Sequence, residues 1–437
     1  MNSFIYLPIE VSRRELSPKT MLAYNLSAKG YSSIIFEHTY FDRYGWKYPG
    51  IYLGKNFFRT EPPHDMKYYN NMKKKNINIW HLDEEGGVFG EDENELREFI
   101  ESRLDVTQLN KNDRVYCWGE AQKKIFEKKN KNNVLIKVSG SPNFEVLKPK
   151  YTNSYLESDL LITRNNKNFI LINTRSVFVN PRKTFDYAVG DNSGGNSIFF
   201  EKYWNEYLRE DSIMLGEFIN LVKQIATFHK EETIVLRPHP EENKEIYNFF
   251  FKKYKNVIIC NDGPVDPWIR LSKFIVHYGC TTAIQADFAE KQVLTFLPKS
   301  LLQSDIKVKY FANEIGIKIS GYEDFKNFYF NQSTYKNSKN IWDQKISDID
   351  TIDFLTNEIK EFIKLDNSYY LSKIPFALRM DIRENLKIFL KKTFKKKTHE
   401  MENFHNIKHF FVAAEKFYNH RVDPIKVNNY CYIIPGK

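Results

Sequence analysis

Short apolar runs rich in β-branched residues alternate along this chain with segments of helical periodicity. That alternation constrains the fold most, because it is the pattern of parallel sheets covered by helices on both faces. The first series opens with "FIYLPIE", continues through "SPKTMLAYNLSAKG", with Pro18 near a helix start and Gly30 at its end, and reaches "YSSIIF". Strands are expected again at 76–82, 113–119 and 133–140, with helices at 93–104 and 120–129 between them. A second series begins near "KNFILINTRS" at 167–176. It runs through a long helix at 199–229, "TIVLRPH", a helix at 241–254, "NVIICND", a helix at 266–272, "FIVHYG" and a helix at 281–290. The insert "GDNSGGNS" at 190–197 is the stretch richest in turn formers. Beyond about 340 only helical spacing is evident, in "TIDFLTNEIKEFIKL" and "IRENLKIFLKKTF".

Two successive α/β series in 437 residues fit two Rossmann-type domains of GT-B-like architecture, with a ligand in the interdomain cleft at the carboxyl ends of the strands. The expected division is an acceptor-side domain at 1–165, a nucleotide-sugar domain at 166–340, and a helical tail at 341–437 that packs across the domains or lies at a membrane surface.

Composition narrows the partners. Lys and Arg number 65 against 55 for Asp and Glu, a net charge of +10 concentrated in runs such as those at 73–75, 128–132 and 391–399. Such runs are solvated faces or suit anionic partners: nucleotides, acidic glycans or an anionic membrane. No nucleic-acid motif accompanies them. Cys117, Cys260, Cys280 and Cys431 lie far apart, without the spacing of a disulfide framework or a zinc site, which fits a reducing cytoplasm. The opening "MNSFIYLPIEVSRRE" is not a signal peptide and no window approaches 18 apolar residues, so a soluble or peripheral protein is expected.

Chemistry concentrates where strands stop. In "IVLRPHPEEN" (234–243) a strand runs into Arg237 and then His239 held between two prolines. A capped surface turn explains the prolines and the following acids equally well, but not the arginine and histidine together. In "FIVHYGCTTAIQADF" (274–288) Gly279 permits close backbone approach, and Thr281 and Thr282 open a helix whose free N–H groups suit a phosphate. A plain N-cap by Thr281 is the simpler alternative. "WHLDEEGG" (80–87) clusters Asp83, Glu84 and Glu85, and mutual repulsion would raise one carboxyl pKa enough for a general base; a solvated acidic loop fits as well. Glu120 in "YCWGE" is a weaker acid candidate or a helix N-terminal residue. Glu10 and Arg14 in "PIEVSRRE" could bind acceptor hydroxyls or a donor carboxylate, or form a turn salt bridge.

"LPIEVSRREL", "LDEEG", "WGE", "GSPNFEVLKP", "FILINT", "LRPHPEE" and "PWIRLSKFIVHYGCTTAIQAD", in that order from about residue 4 to residue 300, resemble the bacterial surface carbohydrate biosynthesis proteins. That group is similar to the retaining β-Kdo glycosyltransferases of capsule and O-antigen synthesis. The resemblance implies transfer of a CMP-activated ulosonic acid, Kdo foremost, to a glycan or lipid-linked acceptor on the cytoplasmic side of the inner membrane. It also implies roles: Glu84, Asp83 or Glu85 as catalytic carboxylate, His239 as ligand of the donor phosphate, and Thr281 and Thr282 as phosphate or carboxylate ligands. Arg237, Gly279 and Cys280 belong to the same donor site. Where the group has a glutamate after the threonines, this chain has Gln285, which puts a charged role there in doubt.

No metal is expected. A single leaving phosphate can be met by an arginine, a histidine and a helix N-terminus, and "SDID" at 347–350 reads as a helix cap rather than an Asp-x-Asp metal motif. The basic amphipathic segment near 380–399 fits either a membrane-surface helix or one packed on the catalytic domains. Aromatics Phe41, Tyr44 and Trp46 could stack on acceptor sugars. The other functional classes open at this point are a CDP-polyol phosphotransferase, a nucleotide-sugar epimerase, and a non-catalytic glycan-binding scaffold.

Overall fold

The computed structural model describes residues 4–40, 48–55, 64–84, 93–183, 197–306, 310–331, 338–365, 404 and 407–436. Glu85, Gly86, Gly87, Phe41, Tyr44, Trp46, most of the "GDNSGGNS" insert and the basic segment at 380–399 lie outside the described residues. The chain divides into two compact units, one of Met1–Val146, Asn153–Ser158 and Trp342–Lys437, the other of Leu147–Thr152 and Asp159–Ile341. Both are α/β units built on parallel sheets, the GT-B-like class expected from the sequence.

The first unit's sheet contains β1 (Phe4–Ile9), β2 (Ser33–Glu37), β3 (Gly50–Gly54), β4 (Ile77–Leu82), β5 (Arg114–Cys117), β6 (Leu135–Val138), β13 (Ile425–Asn428) and β14 (Cys431–Ile434). Among the described residues their order is β13-β14-β2-β1-β3-β4-β5-β6. β1 to β6 run parallel, so the sheet switches direction of growth between β1 and β3. β1 is buried at every position, as expected of a central parallel strand covered on both faces. Its Pro8 dictates a neighbour: a Cβ at Gly54 on β3 would sit 2.4 Å from the Pro8 ring.

Beside the unexpected strands β3 and, in the second unit, β11 (Gln292–Phe296) and β12 (Ile317–Ile319), two regions of the first unit depart from the sequence expectation. The first helix, α1 (Ser12–Ala28), starts six residues before Pro18 and encloses it. An interior proline removes a helix hydrogen bond and costs about 3 kcal/mol. Burial offsets that here, since α1 is covered continuously from Glu15 to Ser27. The helices Thr351–Leu365 and Ile407–Tyr418 do part of the covering: Asn25 donates to Asp353 at 2.7 Å, and Tyr24 lies 5.9 Å from Phe411. The second difference is the C-terminal region, which is not purely helical. It ends in the β13–β14 hairpin, and β14 pairs antiparallel with β2, covering what would otherwise be a sheet edge.

The second unit holds β7 (Phe169–Asn173), β8 (Ile234–Arg237), β9 (Val257–Ile259), β10 (Ser272–His277), β11 (Gln292–Phe296) and β12 (Ile317–Ile319). Among the described residues they form one all-parallel sheet in the order β12-β11-β10-β7-β8-β9. Counted within the unit this is 3-2-1-4-5-6, the doubly wound order, with its switch point between β7 and β10. The helix Ser197–Phe228 covers one face through Met214, Phe218, Leu221, Val222 and Ile225, which recur at helical spacing in the core. Among the described residues no helix is long and apolar enough to cross a membrane.

Candidate functional site

In the second unit Asn173 of β7 pairs with Arg237 of β8 on one side and with His277 of β10 on the other. Two residues past that row the three strand ends deliver Arg175, His239 and Gly279.

The turn after β8 fixes the histidine. Glu242 Oε1 accepts the His239 main-chain N–H at 2.8 Å and the Thr174 hydroxyl at 2.9 Å, and Oε2 accepts the Tyr247 hydroxyl at 2.5 Å. Burial raises the pKa of this carboxyl above the usual range. On the ring, Nδ1 accepts the Glu241 N–H at 3.3 Å, which leaves the proton on Nε2. Burial, and secondarily the Arg175 charge, lower the imidazole pKa to about 4. His239 is therefore a neutral Nε2–H donor at physiological pH.

Arg237, expected in the donor site, is bonded to a neighbouring loop. Its guanidinium donates to the main-chain oxygens of Cys260, Asp262 and Gly263 at 3.4, 3.1 and 2.6 Å, and lies 5.7 Å from the Trp268 ring. These bonds hold the loop after β9, and a fork occupied by carbonyls is a poor anion ligand.

After β10, Gly279 adopts φ +58°, donates its N–H to Asn313 at 2.7 Å, and approaches Tyr310 so closely that a Cβ would lie 2.8 Å from the ring. The expected helix-terminus site is weaker than the motif suggests. The helix Thr282–Phe288 has 7 residues and Thr281 makes no side-chain cap bond. Thr282 Oγ1 accepts from Asn173 Nδ2 at 2.9 Å and donates to Cys280 Sγ at 3.1 Å. Gln285 donates to Asp266 at 3.4 Å, and burial pushes that carboxyl up to about 6.

Several functional candidates here were not singled out from the sequence. Arg175 lies 4.2 Å over the Tyr310 ring. Glu210, on the helix Ser197–Phe228, accepts hydroxyls from Tyr310 at 2.7 Å and from Tyr278. Next to it, burial pushes Asp211 up to about 7 while its Oδ2 accepts the Phe178 N–H at 2.9 Å. The only sequence signal for Arg175 was its place two residues past a strand.

In the first unit, β4 runs into Asp83 and Glu84, both buried. Arg103 grips Asp83 with two nitrogens at 3.0 Å each, and Trp118 Nε1 donates to the Asp83 carbonyl at 2.8 Å. That geometry makes Asp83 an anchor for the strand end. Glu84 faces Lys19 of α1 instead, 2.6 Å from its ammonium, and also receives Asn143 Nδ2 at 3.3 Å. Lys19 further donates to the Leu53 carbonyl at 3.1 Å.

Beside this pair lies Glu15, which accepts the Arg14 guanidinium at 2.6 Å and the Glu10 N–H at 2.7 Å. Burial first and the Glu84 charge second push Glu15 up to about 7. Glu10 itself pairs with Lys55, closing the ends of β1 and β3 at this sheet's switch point. Pro8, Glu10, Glu15, His38, Tyr52, Lys55 and Glu84 line one small pocket. Each of these two carboxyls, Glu15 and Glu84, has a cation beside it, and with Glu15 protonatable near neutrality the pair can share acid and base roles. Glu120 stays outside this group: it is the first residue of the helix Glu120–Lys129 and lies half exposed, 3.7 Å from Lys123.

No protein-family profile matches the chain, and no curated protein matches it in sequence. Among solved structures it is similar to the UDP-GlcNAc 2-epimerase of Methanocaldococcus jannaschii, at 12% identity over 83% of this chain and 100% of that one, with a TM-score of 0.43. It is similar to MnaA of S. aureus, in a co-structure with UDP, at 11% identity over 86% and 100% of the two chains, TM-score 0.45. A variant of the wall teichoic acid polymerase TagF, soaked with CDPG, aligns at 12% identity over 83% of this chain and 90% of that one, TM-score 0.49.

Proposed function

We propose that the protein is a glycosyltransferase of surface carbohydrate assembly. Its donor in this reading is a nucleotide-activated sugar, a CMP-linked ulosonic acid with Kdo foremost, and its acceptor a surface polysaccharide or lipid-linked glycan. The observation that carries it is His239: a neutral imidazole, held by its own turn with Nε2–H as donor, at the carboxyl edge of a sheet in dinucleotide-fold order. A donor of that kind can meet the oxygen of a departing nucleotide phosphate without a proton first being taken from solution. The motif resemblance supplies the CMP and the ulosonic acid.

The first unit contributes the candidates for activating the acceptor hydroxyl. Glu84 is the carboxylate in this role and Glu15 the group able to store a proton. Catalysis without a metal belongs to the same reading, because a nucleoside monophosphate leaves with a charge that side-chain donors can match.

Calorimetry in EDTA tests this. CMP should bind metal-free, ahead of CDP and UDP, and His239→Ala should weaken it about tenfold or more. Absence of a CMP preference, or an unchanged affinity in the variant, would sink the assignment. Incubation with a UDP-sugar alone and with a CDP-polyol separates the alternatives: an epimerized sugar or consumed CDP-polyol would move the protein into those classes.

A further inference from the structure

We propose that Arg175 is the cation of a phosphate subsite in the second unit, in the place the motifs give to Arg237. The identity of the ligand, a nucleotide phosphate, rests on the donor reading above; the position of the cation rests on the sheet.

β8 and β10, whose ends carry the recognisable motifs, are not neighbours. β7 runs between them, and Asn173 is in register with both Arg237 and His277. The chain two residues on therefore sets Arg175 between His239 and Gly279, with adjacent strands about 4.8 Å apart. β7 and β10 also flank the switch point, where open α/β sheets bind ligands. The proximity is electrostatic as well as topological, since the Arg175 charge is one cause of the low His239 pKa.

The guanidinium is positioned but not used up. Its central carbon lies 4.2 Å from the centre of the Tyr310 ring, and Tyr310 is anchored through its hydroxyl on Glu210 at 2.7 Å. Gly279 leaves room for that ring, which would meet a Cβ at 2.8 Å. Yet Arg175 Nη1 is enclosed and has no hydrogen-bond partner among the described residues. Asp211 Oδ1 likewise has no partner among the described residues; burial pushes its carboxyl up to about 7, and the charges of both Asp211 and Glu210 act on the arginine. An enclosed guanidinium N–H without an acceptor is unfavourable, and a phosphate oxygen would satisfy it. Arg237, by contrast, already donates to carbonyls of Cys260, Asp262 and Gly263. Arg175 and the His239 Nε2–H then form a two-point grip on one phosphate, the arginine matching charge and the neutral ring giving direction.

The test compares CMP with cytidine on the full-length protein, by calorimetry, together with NMR titration of the His239 ring. In Arg175→Gln the affinity for CMP should fall about tenfold to hundredfold while cytidine binding holds, and the His239 pKa should rise. Arg237→Gln should lower the melting temperature and keep the ratio of CMP to cytidine affinity. If His239→Ala collapses that ratio and Arg175→Gln leaves it intact, the donor reading stands and the Arg175 proposal falls. If the wild type binds no nucleotide, the donor reading falls, and inorganic phosphate decides the subsite: binding that Arg175→Gln abolishes supports it, and no binding overturns it. Should Arg175→Gln not fold, Arg175→Lys takes its place, since it keeps the charge and loses the fork. A several-fold drop in the CMP to cytidine ratio then supports the proposal, and an unchanged ratio overturns it.

Discussion

The Glu242 carboxylate accepts the His239 main-chain N–H at 2.8 Å with one oxygen and the Tyr247 hydroxyl at 2.5 Å with the other. Removing it strands the His239 N–H and leaves the buried Thr174 and Tyr247 hydroxyls only their mutual bond at 3.1 Å. Glu242→Ala should therefore lose about 2–4 kcal/mol of stability, and Tyr247→Phe about 1 kcal/mol, by urea unfolding. Equal losses in the two variants would mean the carboxylate is not the hub of this turn.

Lys19 and Glu84 form an ion pair at 2.6 Å with both side chains almost fully buried. Lys19→Met should cost about 3–5 kcal/mol, because it leaves a buried carboxylate without its cation. Adding Glu84→Gln should restore much of that loss. Strict additivity of the two substitutions in a double-mutant cycle would contradict the coupling.

Stability should also carry a pH signature from Glu15. Its carboxyl is pushed up to about 7 in the folded protein, against 4.5 as the ordinary value. Between those values the folded state holds a proton that the unfolded chain has released. Its stabilising contribution is thus full below about 4.5 and lost as pH rises through about 7. His239 works the other way, with a folded pKa of about 4 against 6.5, so its contribution is lost as pH falls from about 6.5 toward 4. Glu15→Gln should become more stable relative to wild type between pH 5 and 8, as chemical denaturation at each pH would record. A difference that does not change with pH would refute this role for Glu15.

Gly279→Ala combines a left-handed φ of +58° with a Cβ 2.8 Å from the Tyr310 ring. A loss of at least about 1–2 kcal/mol is expected from the backbone alone. In a Tyr310→Leu background the steric part should shrink and the backbone part persist. Thermal unfolding of the single and double variants separates the two; an equal loss in both backgrounds would mean that the ring contributes nothing.

The two α/β series, the strand ends carrying His239 and Gly279, and the acids after β4 were legible because each is a local pattern. What stayed hidden depends on neighbours in space. Arg175 follows an ordinary apolar strand, and only the order β10-β7-β8 places it between the two motifs. Lys19 and Glu15 sit in α1 among residues with no clear polar face, since that helix is buried continuously from Glu15 to Ser27. β3, "GIYLG", is short, glycine-bounded and aromatic, and Gly54 is there because Pro8 lies beside it. Arg237 shows the converse: it stands in a recognisable motif, but its acceptors, from the loop after β9, are invisible in the sequence.

The hairpin of β13 and β14 sets a timetable for the chain's synthesis. β2 leaves the ribosome well before its outer partner β14, which is made nearly four hundred residues later (Cys431–Ile434 against Ser33–Glu37). During that interval the second unit, Leu147–Thr152 and Asp159–Ile341, is fully translated and can fold, whereas the first unit waits with one strand edge open. A nascent chain stalled or cleaved before residue 425 would carry that edge permanently, and self-association through β2 is the fate expected for it.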